Sequence, residues 1–253
     1  MVFGSVRKEA DADRLTKEFG AEFRPLIFDV TDQSAVDKAL AQVSQEIGSE
    51  GLGCLINNSG IAEGGPLLSQ PMEDVIRHID VNLIGLIRVT QAFLPLLGAR
   101  ENHPSAPGRI LNISSVSGKF AYPFVAPYVA SKHAVEGFSD SLRRELLLFG
   151  IDVIVIGPGS VQTPIWDKGM VDLAQYESSP YAKILKRYAR GMDKLAASGL
   201  TPEYLARKIV DVHETKKPKT RYAFVKGAFT NWILPRLLPD RMMDGMIKKQ
   251  LGL

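Results

Sequence analysis

Short apolar runs alternate along the chain with longer stretches in which hydrophobic residues return every third or fourth position. The first kind reads as buried strands and the second as one-sided helices. Residues 2–5 read as the end of a strand. Residues 25–28 read as another, closed by the polar turn Asp29-Val30-Thr31-Asp32. Val36, Leu40, Val43 and Ile47 give a helix over 34–47 a single apolar face. A buried strand over 52–56 follows and stops at Asn57-Asn58-Ser59-Gly60. The next helical pattern covers 73–97, with Asn82 interrupting its apolar face. Pro107-Gly108 announces a strand over 109–113. A long helix over 127–149 ends at Gly150. Residues 151–156 are almost wholly apolar, as expected of a central parallel strand covered on both faces. Thr201-Pro202 opens a further helix, and 222–225 read as a last strand.

Alternating strands and helices predict a parallel sheet flanked by helices. No Gly-, Ser- or Pro-rich linker divides the chain, and there is no internal repeat. One domain is expected over 1–228, with an irregular insert at 164–200 and an extension over 229–253. A length of 253 residues, 45% of them hydrophobic, allows a substantial core. The net charge of +3 has no sustained basic stripe, which argues against nucleic-acid binding. Cys54 is the only cysteine, so no internal disulfide forms. Charged residues follow Met1 too soon for a secretory signal, and no 18-residue apolar run is present. A soluble cytoplasmic protein is expected.

Tyr128 and Lys132 stand four residues apart at the start of a helix, so their side chains share a face. A neighbouring ammonium favours a phenolate, and the pair suits proton transfer at an alcohol oxygen. Ser115 lies just beyond the end of a strand, where the crevice of a parallel sheet opens. A hydroxyl there can polarise a carbonyl, and Ser114 is the adjacent alternative. Asn82 either holds a water reaching Lys132 or satisfies local backbone groups. No G-x-S-x-G elbow accompanies Ser115. The four histidines show no metal spacing.

Asn57-Asn58-Ser59-Gly60, Val81-Asn82, Ile113-Ser114-Ser115, Tyr128 through Lys132, and Pro158-Gly159 through Thr163 together resemble the short-chain dehydrogenase/reductase family, over 2–225. The resemblance implies a Rossmann-type doubly wound sheet and hydride exchange between a nicotinamide and a carbonyl or alcohol. It makes Tyr128 the catalytic acid/base. Lys132 becomes its partner and the holder of the ribose, Ser115 the support of the substrate oxygen, and Asn82 the anchor of a relay water. It places Asp29 and Val30 against the adenine, Asn57, Ser59 and Gly60 along the nucleotide, and Pro158, Gly159, Val161 and Thr163 beside the nicotinamide. Gly4 through Lys8 contain no acid, and Arg7 suits a 2′-phosphate, so NADP is favoured over NAD.

The family's T-G-x-x-x-G-x-G loop has no counterpart in the chain. The expectation is therefore a fold entered at its second strand, lacking its first strand and helix, roughly 30 residues in all. Loss of the pyrophosphate loop also raises a non-catalytic Rossmann-like scaffold or regulatory protein as the alternative. The segment 164–199 falls where the family's substrate lid lies. Its Trp166, Met170, Leu173, Tyr176, Tyr181, Leu185 and Tyr188 suit a hydrophobic carbonyl or alcohol substrate. The apolar, basic tail closes the pocket or completes a subunit contact, with peripheral membrane contact less favoured. The resemblance also implies a homodimer or homotetramer formed through the two long helices.

Overall fold

The computed structural model describes residues 1–166 and 173–253. The elements follow in the order β1 (Val2–Val6), α1 (Glu9–Phe19), β2 (Phe23–Ile27), α2 (Gln33–Ile47), β3 (Cys54–Asn57), α3 (Met72–Ile79) and α4 (Gly85–Phe93). Then come β4 (Arg109–Ile113), α5 (Ala126–Glu145), β5 (Asp152–Pro158), α6 (Ala182–Ala197), α7 (Pro202–Glu214), β6 (Arg221–Phe224), α8 (Leu234–Leu237) and α9 (Asp240–Leu251). All strand pairs are parallel. One ladder joins β1 to β2, and a second runs β3-β4-β5-β6.

The expected absence of a first strand and helix is corrected by the structure. The chain opens on a formed strand and helix, and β1-α1-β2 is a parallel strand-helix-strand unit registered from Val2 opposite Phe23 to Val6 opposite Ile27. The lack of a glycine motif is not the lack of an element. Helix α1 leaves little trace in the sequence because it is mostly polar and buries only Ala12. The two ladders share one apolar core. Leu26, Phe28 and Val30 pack there with Val36 and Val43 of α2 and Val89 and Phe93 of α4, and Leu52 and Leu55 lie against them.

Strand β5 carries the densest burial, with Val153 through Pro158 all inaccessible. Its position between β4 and β6 explains the unbroken apolar run. Polar groups enter this core only as partners. Asn57 on β3 donates to Thr90 Oγ1 on α4 and to Asn112 Oδ1 on β4, both at 2.8 Å. Asn112 donates in turn to Ser139 Oγ on α5 at 2.9 Å. This buried chain fastens two strands to the helices on either side. Replacing Asn112 by Leu removes one of the two acceptors of the Asn57 amide and the donor to the Ser139 hydroxyl, and should cost about 2 kcal/mol. Urea unfolding checks this, and an unchanged midpoint would contradict it. A second buried tie runs from Glu136 of α5 to Arg221 of β6 and to Lys119, the latter at 3.2 Å.

The helix expected over 73–97 runs from Met72 to Leu97 and contains a π-helical turn at Asp80–Ile84. The stretch Met72–Leu97 is long and apolar enough to cross a membrane by length and composition. Its Leu86, Val89, Phe93 and Leu97 are buried inside the fold. Cys54 is partly buried, and burial pushes its thiol up to about 12, so it is inert as a nucleophile.

Candidate active site

The carboxyl ends of the strands open into one cavity of about 1710 Å³. Cavities of roughly 300–1,000 Å³ hold a single small ligand, so this one has room for a dinucleotide and a substrate together. Arg7, Asp29, Val30, Ser59, Gly60, Ser115, Tyr128, Lys132, Pro158, Gly159, Val161 and Thr163 all line it. Asn57 and Asn82 do not. Asn57 is consumed by the buried chain described above, and its neighbour Asn58 reaches the cavity instead.

At the centre, α5 brings Tyr128 and Lys132 to the same side, with the ammonium 5.8 Å from the centre of the phenol ring. Tyr128 shares a side-chain hydrogen bond with Ser115, whose Oγ also accepts from Ser117 N at 3.1 Å. Burial raises the Tyr128 hydroxyl above its ordinary value, and the Ser115 contact pulls it partway back. The expected depression of this phenol by Lys132 therefore does not dominate in the chain alone. Burial instead draws Lys132 down to about 8. Its Nζ donates to Ile113 O at 2.9 Å. That bond uses one of three donors.

Asn82 is buried, and the π-helical turn sets its side chain against Ile61. Its Oδ1 accepts from Ile61 N at 2.8 Å, and its Nδ2 donates to Ile61 O at 2.9 Å. The same Nδ2 donates to Ser131 Oγ at 2.9 Å, and Ser131 donates to Tyr128 O at 2.7 Å. Asn82 thus satisfies backbone groups and, through Ser131, ties the corner after β3 to the helix turn carrying Tyr128. A Cβ on Gly60 would stand 3.3 Å from Asn82 Oδ1 and 3.6 Å from Lys132 Nζ. The bare glycine keeps a narrow cradle open beside the ammonium.

The sequence places His78 among four scattered histidines without metal spacing. It is fully buried, bonded to Asp74 O at 2.7 Å and accepting from Glu63 N at 2.9 Å. It holds the cavity wall formed by 61–64 against α3. Nothing in the spacing of His78 signals this, because its partner is a backbone amide in a loop. Ser131 was within reach, three residues beyond Tyr128 and so facing the same way.

In the segment 164–199, Trp166 and Tyr188 line the cavity. Tyr176 and Leu185 are buried in a separate cluster with Phe124, Tyr181 and Tyr188. Met170 and the side chain of Leu173 lie outside the described residues. Phe124 is held at φ 63°, an unusual backbone state for a bulky residue, by Gly65 N donating to its carbonyl at 2.7 Å and by edge contacts to Tyr181 and Tyr188. Helix α9 turns Met243, Ile247 and Leu251, spaced four apart, toward the cavity.

Residues 1–172 match the short chain dehydrogenase family. An NADPH-dependent 3-dehydrocapnine reductase of Ornithobacterium rhinotracheale is 37% identical over 99% of this chain and 88% of its own length. Retinol dehydrogenase 16 of Mus musculus is 31% identical over 97% of this chain and 79% of its own. A short-chain dehydrogenase from Streptomyces avermitilis superposes with a TM-score of 0.76 at 23% identity, covering 100% of this chain and 88% of that one. The closed form of serine dehydrogenase complexed with NADP⁺ superposes at 0.72 with 25% identity, covering 89% and 84%. The chain belongs to the short-chain dehydrogenase family. It is an NAD(P)-dependent oxidoreductase acting on CH–OH and C=O groups, which removes the non-catalytic alternative.

Proposed function

We propose that the chain reduces a hydrophobic ketone with NADPH, using Tyr128 as the proton donor. The observation that carries this reading is the convergence of Ser115, Tyr128 and Lys132 on one cavity wall. The NADPH assignment and the reductive direction draw support from the NADPH-dependent 3-dehydrocapnine reductase, and the apolar substrate from the retinol dehydrogenase. The residues fit a dinucleotide. Gly60 leaves a cradle beside an ammonium with donors to spare, and Arg7 lies in the same cavity at the end of β1.

When bound, the reduced nicotinamide supplies the hydride that adds to the carbonyl carbon. Tyr128 gives its hydroxyl proton to the carbonyl oxygen as the C=O bond becomes C–OH. Ser115 donates to the same oxygen and steadies the charge that develops there. The resulting phenolate faces Lys132, which stabilises it and returns a proton from solvent. Lys132 also offers its remaining donors to the ribose hydroxyls. Asn82 and Ser131 position this group, on the side where the relay water implied by the resemblance would stand. Asp29 and Val30 take the adenine. Ser59, Gly60, Pro158, Gly159, Val161 and Thr163 take the rest of the dinucleotide. The same residues run the reverse oxidation.

Arg7 is assigned to the 2′-phosphate. It is largely exposed and only loosely paired with Asp29, at 3.9 Å, so an incoming phosphate meets little competition. Arg7→Ala should raise the KM for NADPH about tenfold and leave that for NADH within about twofold. Equal effects on both would remove the assignment. Steady-state consumption of NADPH with a panel of apolar ketones tests the whole reading, and absence of turnover across the panel would overturn it. Pairing of two chains is part of the proposal, because Ile84, Leu147 and Leu148 leave apolar surface near α4 and α5. Sedimentation would show it.

A further inference from the structure

Ser115 and Tyr128 must meet one substrate oxygen, yet they ride on different elements. Ser115 stands just past the end of β4, and Tyr128 sits in the first turn of α5. The turn after Ser115 is wound tightly on itself. Gly118 N donates to Ser115 O and Lys119 N to Val116 O, both at 3.0 Å, and Ser117 N donates to Ser115 Oγ at 3.1 Å. The direction of the Ser115 hydroxyl therefore depends on how this whole turn sits against α5.

It sits there without slack. A Cβ on Gly118 would stand 2.6 Å from Ser114 Oγ, 2.9 Å from Glu136 Cγ and 3.1 Å from Lys132 O. The turn thus lies on the stretch of α5 between Lys132 and Glu136, one helical turn on from Tyr128. Glu136 is buried, and a buried carboxylate needs partners. They come from two directions. Lys119, which closes the turn, places its Nζ 3.2 Å from Glu136 Oε2. From β6, Arg221 Nε donates to the same oxygen at 2.6 Å, and the guanidinium also reaches Asp140 at 3.6 Å. Arg221 is registered opposite Val155 of β5, so this end of the clamp is anchored in the sheet. Apolar packing would fill the same space but has no direction. An ion pair fixes which atoms face each other.

We infer that Glu136 is a positioning residue for the reaction: through Lys119 it locks the turn carrying Ser115 against the helix carrying Tyr128, so that both hydroxyls reach one substrate oxygen. The inference rests on the assignment of Ser115 and Tyr128 to that oxygen and adds the group that holds them in register.

Lys119→Met is the sharper test, because it removes the turn's anchor and leaves Glu136 paired with Arg221. Reduction of 3-dodecanone should lose about tenfold in kcat, with the KM for NADPH within about twofold. The Ser115 hydrogen bond lowers the Tyr128 hydroxyl, so the pH profile for oxidation of 3-dodecanol should move upward, in the same sense as in Ser115→Ala. In a Ser115→Ala background, Lys119→Met should cost less than about twofold, since no hydroxyl is left to aim. Lys119→Arg keeps a cation for Glu136 and should recover most of the loss. Glu136→Gln should move the profile the same way and also lower the urea midpoint, because Arg221 loses its buried carboxylate. Circular dichroism confirms that each variant is folded. An unchanged kcat and pH profile in Lys119→Met, or an equal loss in both backgrounds, would overturn the inference and leave the reductase reading intact. No turnover by the wild type, or Ser115→Ala without effect, would break the reading beneath and this inference with it.

Discussion

Tyr128→Phe should lose about 10²–10⁴-fold in kcat, with the KM for NADPH nearly unchanged. The substitution removes one oxygen and keeps the ring that packs on α5. What disappears is the proton that must reach the carbonyl oxygen as the hydride arrives. Ser115 remains, and a serine hydroxyl can still polarise the carbonyl, so activity should fall steeply without vanishing. Burial alone holds the Tyr128 hydroxyl above its ordinary value, and the Ser115 hydrogen bond lowers it. Ser115→Ala should therefore shift the pH profile of the oxidation direction upward as well as slow it. Turnover retained in Tyr128→Phe would remove the assigned role outright.

Lys132→Met should do two opposite things. It should abolish most turnover, and it should make the protein more stable near pH 7. Lys132 is buried, and its pKa is drawn from 10.5 down to about 8. Below about pH 8 the fold holds a cation that it disfavours. Between about 8 and 10.5 the unfolded chain binds the extra proton, so stability should rise with pH through that window. The shift corresponds to roughly 3 kcal/mol of penalty at neutrality. Removing the ammonium also strands the Ile113 carbonyl, which costs about 1 kcal/mol back. A net gain of about 2 kcal/mol at pH 7 is expected in urea unfolding, with a flatter dependence on pH above 8. A destabilised Lys132→Met at pH 7 would show that the ammonium is better satisfied in the fold than this balance assumes.

The alternation of apolar runs and helical stripes made the parallel strands readable, because burial on both faces of β5 and on one face of α2 leaves a periodic record in the residues themselves. Helix α1 left no such record: one buried alanine among charged neighbours looks like a loop. The same holds for α9, whose Met243, Ile247 and Leu251 face a cavity wall and not a core. The Tyr128–Lys132 pair was legible because helical spacing alone fixes its geometry. The partners of Asn82, Asn57 and His78 were not, since each bonds to groups 15–55 positions away in sequence. Pairings of that range are set by how elements pack, and a single sequence does not state them. The missing glycine loop misled in the other direction, since a motif and the strand before it are separate observations.

A crystal structure of the chain with NADP⁺ and a slowly turning-over ketone analogue tests the central claim most directly. The account predicts the analogue's oxygen within hydrogen-bond reach of both Tyr128 Oη and Ser115 Oγ, with Lys132 Nζ on the nicotinamide ribose. An analogue oxygen turned away from Tyr128, or a nicotinamide seated elsewhere in the cavity, would contradict it.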